Sequence, residues 1–197
     1  MKTGLIVLGV IVLIVIGGIG WAIGINNQLV AHEQGVNEKW AQVQNVYQRR
    51  ADLIPNLVET VKGFAAQERT VLEEVIKARA SATQIKVTPE LLNDPAALKK
   101  FQQAQGELSG ALSRLLVTVE RYPELKSNAN FLALQSQLEG TENRITVERQ
   151  RFNEAVRDFN TKIKVMPGAL VARLMGFKEK AFFEAAPGSE TVPKLKF

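Results

Sequence analysis

The chain has no cysteine and a single histidine, His32, among its 197 residues. The absence of cysteine excludes a disulfide framework, a CxxC zinc site and a lipoprotein cysteine. One histidine leaves almost nothing from which to build a histidine-rich metal site or a Ser-His-Asp or Cys-His catalytic pair. We therefore expect no metal, no cofactor and no enzymatic activity.

Tryptophan and tyrosine are also scarce, with two of each, and no stretch alternates apolar and polar residues as a half-buried strand does. Apolar residues nevertheless make up 46% of the chain, and its formal net charge is +5. A core built from helices is therefore expected. Because no stacking aromatic residues are interleaved with Arg49 and Arg50, this pair of cations does not indicate nucleic-acid binding.

The first long feature that is present is an uncharged apolar run, Gly4–Ile25. Its 22 residues would span about 33 Å as a helix, enough to cross a bilayer. The run is longer than a signal-peptide core and lacks a small-residue cleavage site, so we predict a retained single-pass anchor over residues 1–26. Gly20 and Gly24 form a small-xxx-small pair that predicts helix packing within the membrane.

A heptad repeat follows, with apolar residues alternately three and four apart. Its two seam positions carry Val36, Val43, Arg50 and Leu57, and Trp40, Tyr47, Ile54 and Val61. The register is the same before and after Pro55, which predicts one helix through about residue 82 with the proline ring toward solvent. We interpret Arg50, Asp52 and Pro55 as a helix joint, with Arg50 close to the turn at Pro123.

Two further long helices are indicated by their caps and breakers. Asp94 and Pro95 predict the start of the second, and Pro123 its end; Asn128 predicts the start of the third, and Pro167-Gly168 its end. The predicted fold is all-α: a transmembrane helix, then an antiparallel bundle of three long helices over residues 27–166. Residues 167–197 would form a short fourth helix and a basic tail.

Polar residues interrupt the apolar seams. Side-by-side alignment of the three helices, with the third parallel to the first, brings Glu68, Gln105, Glu142 and Arg149 to similar heights. We predict a buried polar layer that locks the register of the bundle. A remote alternative is an enzyme that uses Glu68, Glu142 and Arg149 as an acid–base or ion site.

The lower part of the first helix has no partner in this alignment, because the second and third helices do not reach it. Val36, Trp40, Val43 and Tyr47 would then form an exposed apolar seam, which predicts self-assembly through these residues. A different membrane protein or the chain's own tail could cover the seam instead. From residue 161 onward the sequence contains seven Lys and Arg but only three Glu. This basic tail could therefore bind an anionic membrane, bind an acidic partner or dock on the bundle.

Several stretches resemble the LemA family of bacterial membrane-anchored proteins. They are YQRRADLIPNLVETVKG at 47–63, VERYPELKSNANFLALQSQLEGTENRI at 119–145, RFNEAVRDFNTKI at 151–163 and GFKEKAFF at 176–183. The resemblance implies one transmembrane helix, a helical bundle and a short N-terminus outside the cell. It also implies an association of some relatives with membrane metalloproteases or envelope stress. It carries over no catalytic residue.

These observations predict a membrane-anchored scaffold or interaction protein in the bacterial inner membrane that forms a homo-oligomer. The alternative is an adaptor that regulates a membrane metalloprotease or an envelope stress response, with another envelope protein as its partner. The orientation stays open: Lys2 and the amino terminus slightly favour an inside N-terminus, against the family resemblance.

Overall fold

The computed structural model describes residues 2–85 and 87–184, and this part of the chain is all-α, with no strand. Its helices are α1 (Lys2–Phe64), α2 (Arg69–Gln84), α3 (Pro95–Val119), α4 (Pro123–Lys126), α5 (Ala129–Lys164) and α6 (Gly168–Met175), with a 3₁₀ helix at Pro89–Asn93. The short C-terminal helix predicted from the sequence is α6. The end of the predicted basic tail, residues 185–197, lies outside the described residues.

Helix α1 continues through Pro55, and the proline side chain is exposed, as predicted. Proline lacks the N–H that would bond the carbonyl of Ala51 one turn earlier. Arg79 of α2 supplies a replacement, since its Nε donates to the Ala51 oxygen at 2.8 Å. The joint at Pro55 is thus a helix–helix contact in which a side chain replaces a missing backbone donor.

The prediction that this helix continues to about residue 82 is wrong. Helix α1 ends at Phe64, the chain turns at residues 65–68, and α2 runs back along α1. Both helices bury a stripe with three-and-four spacing, so the apolar repeat continues across a turn that it does not reveal. Glu68, which the sequence placed in the predicted polar layer, lies in this turn.

This extra reversal sets the direction of α5, which is antiparallel to α1 and not parallel as predicted. Trp40 packs against Phe152, Arg50 pairs with Glu142, and Gly168 at the far end lies beside Leu29. Residue numbers on α5 therefore decrease as the numbers of their contacts on α1 increase. As a result α5 follows α1 down to the end of the apolar segment, which a parallel helix starting at Asn128 would not do.

The predicted helix starts are confirmed at both caps. The Asp94 carboxylate accepts from the backbone N–H of Ala96 and Ala97, at 2.9 and 3.1 Å. The Asn128 side-chain oxygen accepts from Asn130 and Phe131, at 3.0 and 3.1 Å. Each cap satisfies two donors that a helix N-terminus otherwise leaves unpaired.

The prediction of an exposed seam below the bundle is also wrong. Val36, Trp40, Val43 and Tyr47 are all buried, and Trp40 is 1% exposed. Their cover is α5, the start of α3 and the segment after α6, all from the same chain. The seam is internal because α5 runs downward, so these four side chains are unavailable to a second copy of the folded protein.

The buried residues divide into two cores along α1. The proximal core, nearer the apolar segment, contains Leu29, Val36, Trp40, Val43, Tyr47, Leu91, Leu92, Leu98, Phe101, Ile145, Phe152, Val156, Phe159, Ile163, Val171, Ala172 and Phe183. The distal core contains Ile54, Leu57, Val58, Val61, Ala65, Leu72, Val75, Ala82, Ala104, Leu108, Ala111, Leu112, Leu115, Val119, Leu125, Phe131 and Leu138. Arg50 lies on α1 between them.

The first part of α1 packs against neither core. Its apolar side chains are exposed over residues 5–21, and by length and composition the helix is able to cross a membrane. Farther along, Ala22 and Ile25 are partly buried against the proximal core. The exposed segment and the bundle are thus parts of one continuous helix.

Candidate functional site: the Arg50 cluster and the clamped C-terminal segment

Arg50 is the most buried charged side chain in the described chain, at 1% exposure. Its Nη1 donates to Glu142 at 2.7 Å and to the hydroxyl of Ser109 at 2.8 Å, and its Nη2 donates to the side-chain oxygen of Gln105. These partners, the Arg50 cluster, connect α1, α3 and α5. A guanidinium suits such a position because its donors are fixed in a plane and can bond several helices at once.

The predicted polar layer is partly correct. Gln105 and Glu142 meet inside the bundle, but the cation between them is Arg50 and not Arg149. Arg50, which was predicted to lie near the turn at Pro123, is therefore at the centre of the polar layer. The error follows from the direction of α5, because an antiparallel α5 brings Glu142 to the height of Arg50.

Of the other predicted members of the layer, Glu68 lies at a different height, and Arg149 is close to Tyr47 but bonds the segment after α6. Glu68 accepts from the hydroxyl of Tyr122 at 2.6 Å and from Arg121 at 3.2 Å, at the distal turn. Arg149 donates to the backbone oxygen of Glu184 at 2.9 Å. The structure therefore does not bring Glu68, Glu142 and Arg149 together, and the remote enzyme alternative loses the arrangement on which it depended.

Two tyrosines have perturbed pKa values. Burial raises the pKa of Tyr47 above its ordinary value of 10.0, while the Arg149 and Arg50 guanidiniums oppose the rise. The Tyr47 ring also lies 5.2 Å from the Arg50 guanidinium carbon, a cation–π distance. The hydrogen bond to Glu68 raises the pKa of Tyr122. Both hydroxyls therefore stay protonated at neutral pH.

Asp52, the third residue of the predicted joint, points away from the Arg50 cluster. It is exposed and accepts from Gln48 on the same helix at 2.7 Å. This is an ordinary contact between residues four apart on a helix surface. The joint therefore consists of Pro55 and Arg79, with Arg50 in a separate cluster one turn away.

The segment after α6, residues 177–184, crosses the bundle without helical structure; we call it the strap. Two asparagines of α5 hold its backbone. The side-chain amide of Asn160 donates to the Lys180 oxygen and accepts from the Lys180 N–H, both at 2.9 Å. Asn153 makes the same pair of bonds with Phe183, again at 2.9 Å. Each amide thus pairs with a peptide unit as a neighbouring strand would.

Two side chains of the strap enter the protein. Phe183 is 5% exposed and lies 5.8 Å from the Trp40 ring and 5.4 Å from that of Phe152. Lys180 is 7% exposed, and its ammonium group reaches Glu33 at 2.7 Å and Asn93 at 2.9 Å. The strap therefore connects α1, α5 and the 3₁₀ helix, and it is part of what covers Trp40.

The sequence predicted Phe183 as one of the phenylalanines by which the tail could dock on the bundle, and the structure confirms that contact, but the sequence gave Asn153 and Asn160 no role. Their seven-residue spacing places both on one face of α5, which is a detectable signal. The signal is weak because polar residues at such spacing also occur on solvated helix faces. Only the strap shows what these asparagines bind.

A cavity of about 200 Å³ lies beside the Arg50 cluster, between α1, α2 and α3. Carboxamides and apolar groups line it, among them Gln44, Tyr47, Gln105 and Leu108. The described residues contain no group of three or more His, Asp or Glu side chains able to hold a metal ion. The bonds of the Arg50 cluster and of the strap hold helices together.

Gly20 and Gly24 lie on the exposed part of α1. A methyl group added at either position would meet no atom within 4 Å. This surface is thus open to another helix, as the predicted membrane packing requires, but no contact at these glycines is part of the described structure.

Comparison with known proteins gives a consistent result. The model of the LemA family matches residues 39–197. The magnetosome protein MamQ of Magnetospirillum gryphiswaldense is 27% identical over 181 residues, covering 84% of this chain and 66% of the relative. MamQ 1 and MamQ 2 of Paramagnetospirillum magneticum are each 26% identical over the same coverage. The chain thus spans slightly less than two thirds of the length of these relatives.

Proposed function

The chain belongs to the LemA family, and from this premise we propose that it is a membrane-anchored scaffold that assembles with further copies of itself. It is a membrane-associated helical protein. The proposal adds that the apolar segment of α1 makes the contact between copies, and that the membrane is the bacterial inner membrane. A protease-accessibility assay on cells and spheroplasts would show on which side the bundle lies.

One observation carries the proposal: α1 runs without a break from the apolar segment into both cores of the bundle. A helix that is packed along its length transmits its orientation, because it cannot bend without breaking those contacts. Any contact made by the apolar segment in the bilayer therefore determines how neighbouring bundles face each other. This is the mechanical property that a scaffold needs.

The apolar segment is the best surface for self-assembly because the remaining apolar seam of α1 is already covered. Gly17, Gly20 and Gly24 lie within about 60° of one another on the helix, and nothing contacts them. Small residues at this spacing allow two membrane helices to approach closely. MamQ is a magnetosome protein by name; what it does there is not carried over to this chain.

The test is the particle size of the full chain in mild detergent, measured by size-exclusion chromatography with light scattering. The wild type should form a multimer, and Gly20→Leu with Gly24→Leu should reduce its size. The matched control is Gly18→Leu, which places the same side chain on the opposite face of the same segment. Circular dichroism would show that each variant keeps its helices.

Two results would contradict self-assembly through the Gly20 and Gly24 face. One is a wild-type particle that contains a single copy of the chain. The other is an equal loss of size in the Gly18 control, which would show that no particular face is used. Recovery of a different polypeptide by crosslinking from position 20 or 24, without a second copy, would favour the adaptor alternative.

A further inference from the structure

Helix α6 exposes an apolar stripe where most short surface helices are polar. Leu170 and Leu174, four residues apart on α6, are 59% and 78% exposed, and Met166, in the turn just before the helix, is 72% exposed. The opposite face of α6 is buried through Gly168, Val171 and Ala172. Helix α6 thus has two apolar surfaces: one packs against the bundle, and the other, the stripe, is exposed.

The position of α6 places this stripe at the end of the apolar segment. A methyl group added at Gly168 would lie 3.8 Å from a methyl carbon of Leu29, and it would overlap the carbonyl oxygen of Lys162. Leu29 lies four residues beyond Ile25, about 6 Å along a helix. The headgroup layer on each side of a bilayer is about 5–7 Å thick, so with α1 along the membrane normal α6 lies at that depth.

Cations lie on α6 and in the chain on either side of it. Lys162, Arg173 and Lys178 are exposed, and no carboxylate in the described part of the chain pairs with them. Lys164 differs, since it bonds Glu179 at 2.7 Å. Apolar side chains flanked by cations are the pattern by which amphipathic helices bind the surface of a membrane that contains anionic lipid.

We propose that α6 is a second membrane contact: Met166, Leu170 and Leu174 enter the interface of the bilayer that α1 crosses, and Lys162, Arg173 and Lys178 bind anionic headgroups. Two contacts with one bilayer restrict the tilt and rotation of the bundle, which a single helix leaves free. The proposal requires α1 to span the membrane, but it does not require the chain to self-assemble.

The chain is suited to a direct test because it contains no cysteine. Leu174→Cys, labelled with an environment-sensitive fluorophore, would be reconstituted as the full chain into vesicles. Spin-labelled phosphatidylcholine quenches from the lipid side, and iodide quenches from water. We expect strong quenching by the lipid quencher and weak quenching by iodide.

Two labelled variants calibrate the result. Ile14→Cys lies within the apolar segment and reports insertion, whereas Val117→Cys, at 72% exposure, lies on α3 beside the distal core. If iodide quenches the label at position 174 as strongly as the label at position 117, and the lipid quencher as weakly, the proposal is overturned. Protection from both quenchers would also overturn it, because the stripe would then be covered by protein. If the Ile14 label fails to meet lipid, the anchor itself is wrong.

The headgroup contact is tested with vesicles of phosphatidylcholine alone and of an equal mixture with phosphatidylglycerol. In Leu174→Cys with its three cations intact, the label should be quenched more strongly from the lipid side in the mixture. The triple variant Lys162→Gln, Arg173→Gln and Lys178→Gln should lose this difference while keeping the quenching seen in phosphatidylcholine. Equal quenching in both vesicles with the cations intact would overturn the role of the three cations.

Discussion

The distal and proximal cores are filled by different kinds of side chain. Helices α1, α2, α3 and α5 and the short α4 contribute to the distal core, whose buried alanines are Ala65, Ala82, Ala104 and Ala111. In the proximal core α2 is absent, and the strap, the 3₁₀ helix and α6 take part instead. There the described buried residues include Trp40, Tyr47, Phe101, Phe152, Phe159 and Phe183.

The difference follows from the need to fill an interior to the same density. Four regular helices approach closely when alanines face each other. Irregular pieces of chain cannot pack so evenly, and large rings fill the wider gaps between them. The Arg50 cluster lies at the boundary between the two cores.

The largest effect is expected from Trp40→Ala in the proximal core. Its ring lies within 6.0 Å of those of Phe101, Phe152 and Phe183, so its removal opens a cavity among three rings. We expect a loss of about 3–5 kcal/mol in the free energy of unfolding, measured by denaturant titration in detergent. Val30→Ala, at an exposed position of the same helix, is the control; an equally small loss for both would contradict the buried position of Trp40.

At the boundary between the cores, the two partners of the ion pair should respond unequally. Glu142→Leu leaves the buried Arg50 charge without its counterion, which should cost about 3 kcal/mol. Arg50→Met should cost less, because the Glu142 side chain is 42% exposed and reaches water. It also removes the Arg50 Nε, a buried donor without an acceptor in the described chain. Equal losses would contradict this asymmetry.

The strap distinguishes the proximal core from the distal one, and its clamps can be broken singly. Asn160→Ala removes two hydrogen bonds to the strap and should cost about 1–3 kcal/mol. In a Trp21→Phe background, the freed strap should also expose Trp40 to iodide quenching. Asn143→Ala, an exposed position on the same helix, should change neither quantity. Unchanged quenching in Asn160→Ala would contradict this prediction and would show that the Asn153 bonds alone keep Phe183 over Trp40.

A smaller effect is expected at the Pro55 joint beside the distal core. Arg79→Ala removes the donor to the Ala51 carbonyl and should cost about 1 kcal/mol. Pro55→Ala restores the backbone donor of the helix, so Arg79→Ala should cost less in that background. A double-mutant cycle measures this coupling, and strictly additive losses would contradict the substitution of Arg79 for the missing backbone bond.

The smallest effect appears only at high pH. The Tyr47 pKa is raised in the folded state, so the folded protein keeps a proton that the unfolded chain loses above pH 10.0. Stability is therefore unaffected by this group below that pH and falls as the pH rises toward the folded-state pKa. Tyr47→Phe should weaken the alkaline loss of stability. If the free energy of unfolding depends on pH in the same way in Tyr47→Phe and in the wild type, the prediction is contradicted.

Local signals in the sequence were reliable where a few neighbouring residues decide the structure. Asp94 and Asn128 cap helices through bonds to residues two and three positions later, so their role is visible in any short window. The helix through Pro55 was predicted correctly from the apolar register on both sides of the proline. The turn at residues 65–68 was missed because the apolar repeat of α2 happens to continue that of α1.

That one missed turn explains most of the errors in the candidate site. It reversed the direction of α5, and with it the partner of Arg50, the position of Arg149 and the cover of the seam at Trp40. The residues of the polar layer were recognised as buried candidates, but their pairing depends on which helix runs beside which. No window of sequence contains that information.

The sequence by itself determined the helical class, the apolar segment that can cross a membrane, the capped helix starts and the family, because each depends on residues close together in the chain or on composition. Only the tertiary structure decided that the chain covers its own seam with α5 and the strap. Contacts between residues a hundred positions apart are selected by the complete set of packing interactions, and a single additional turn changes them all.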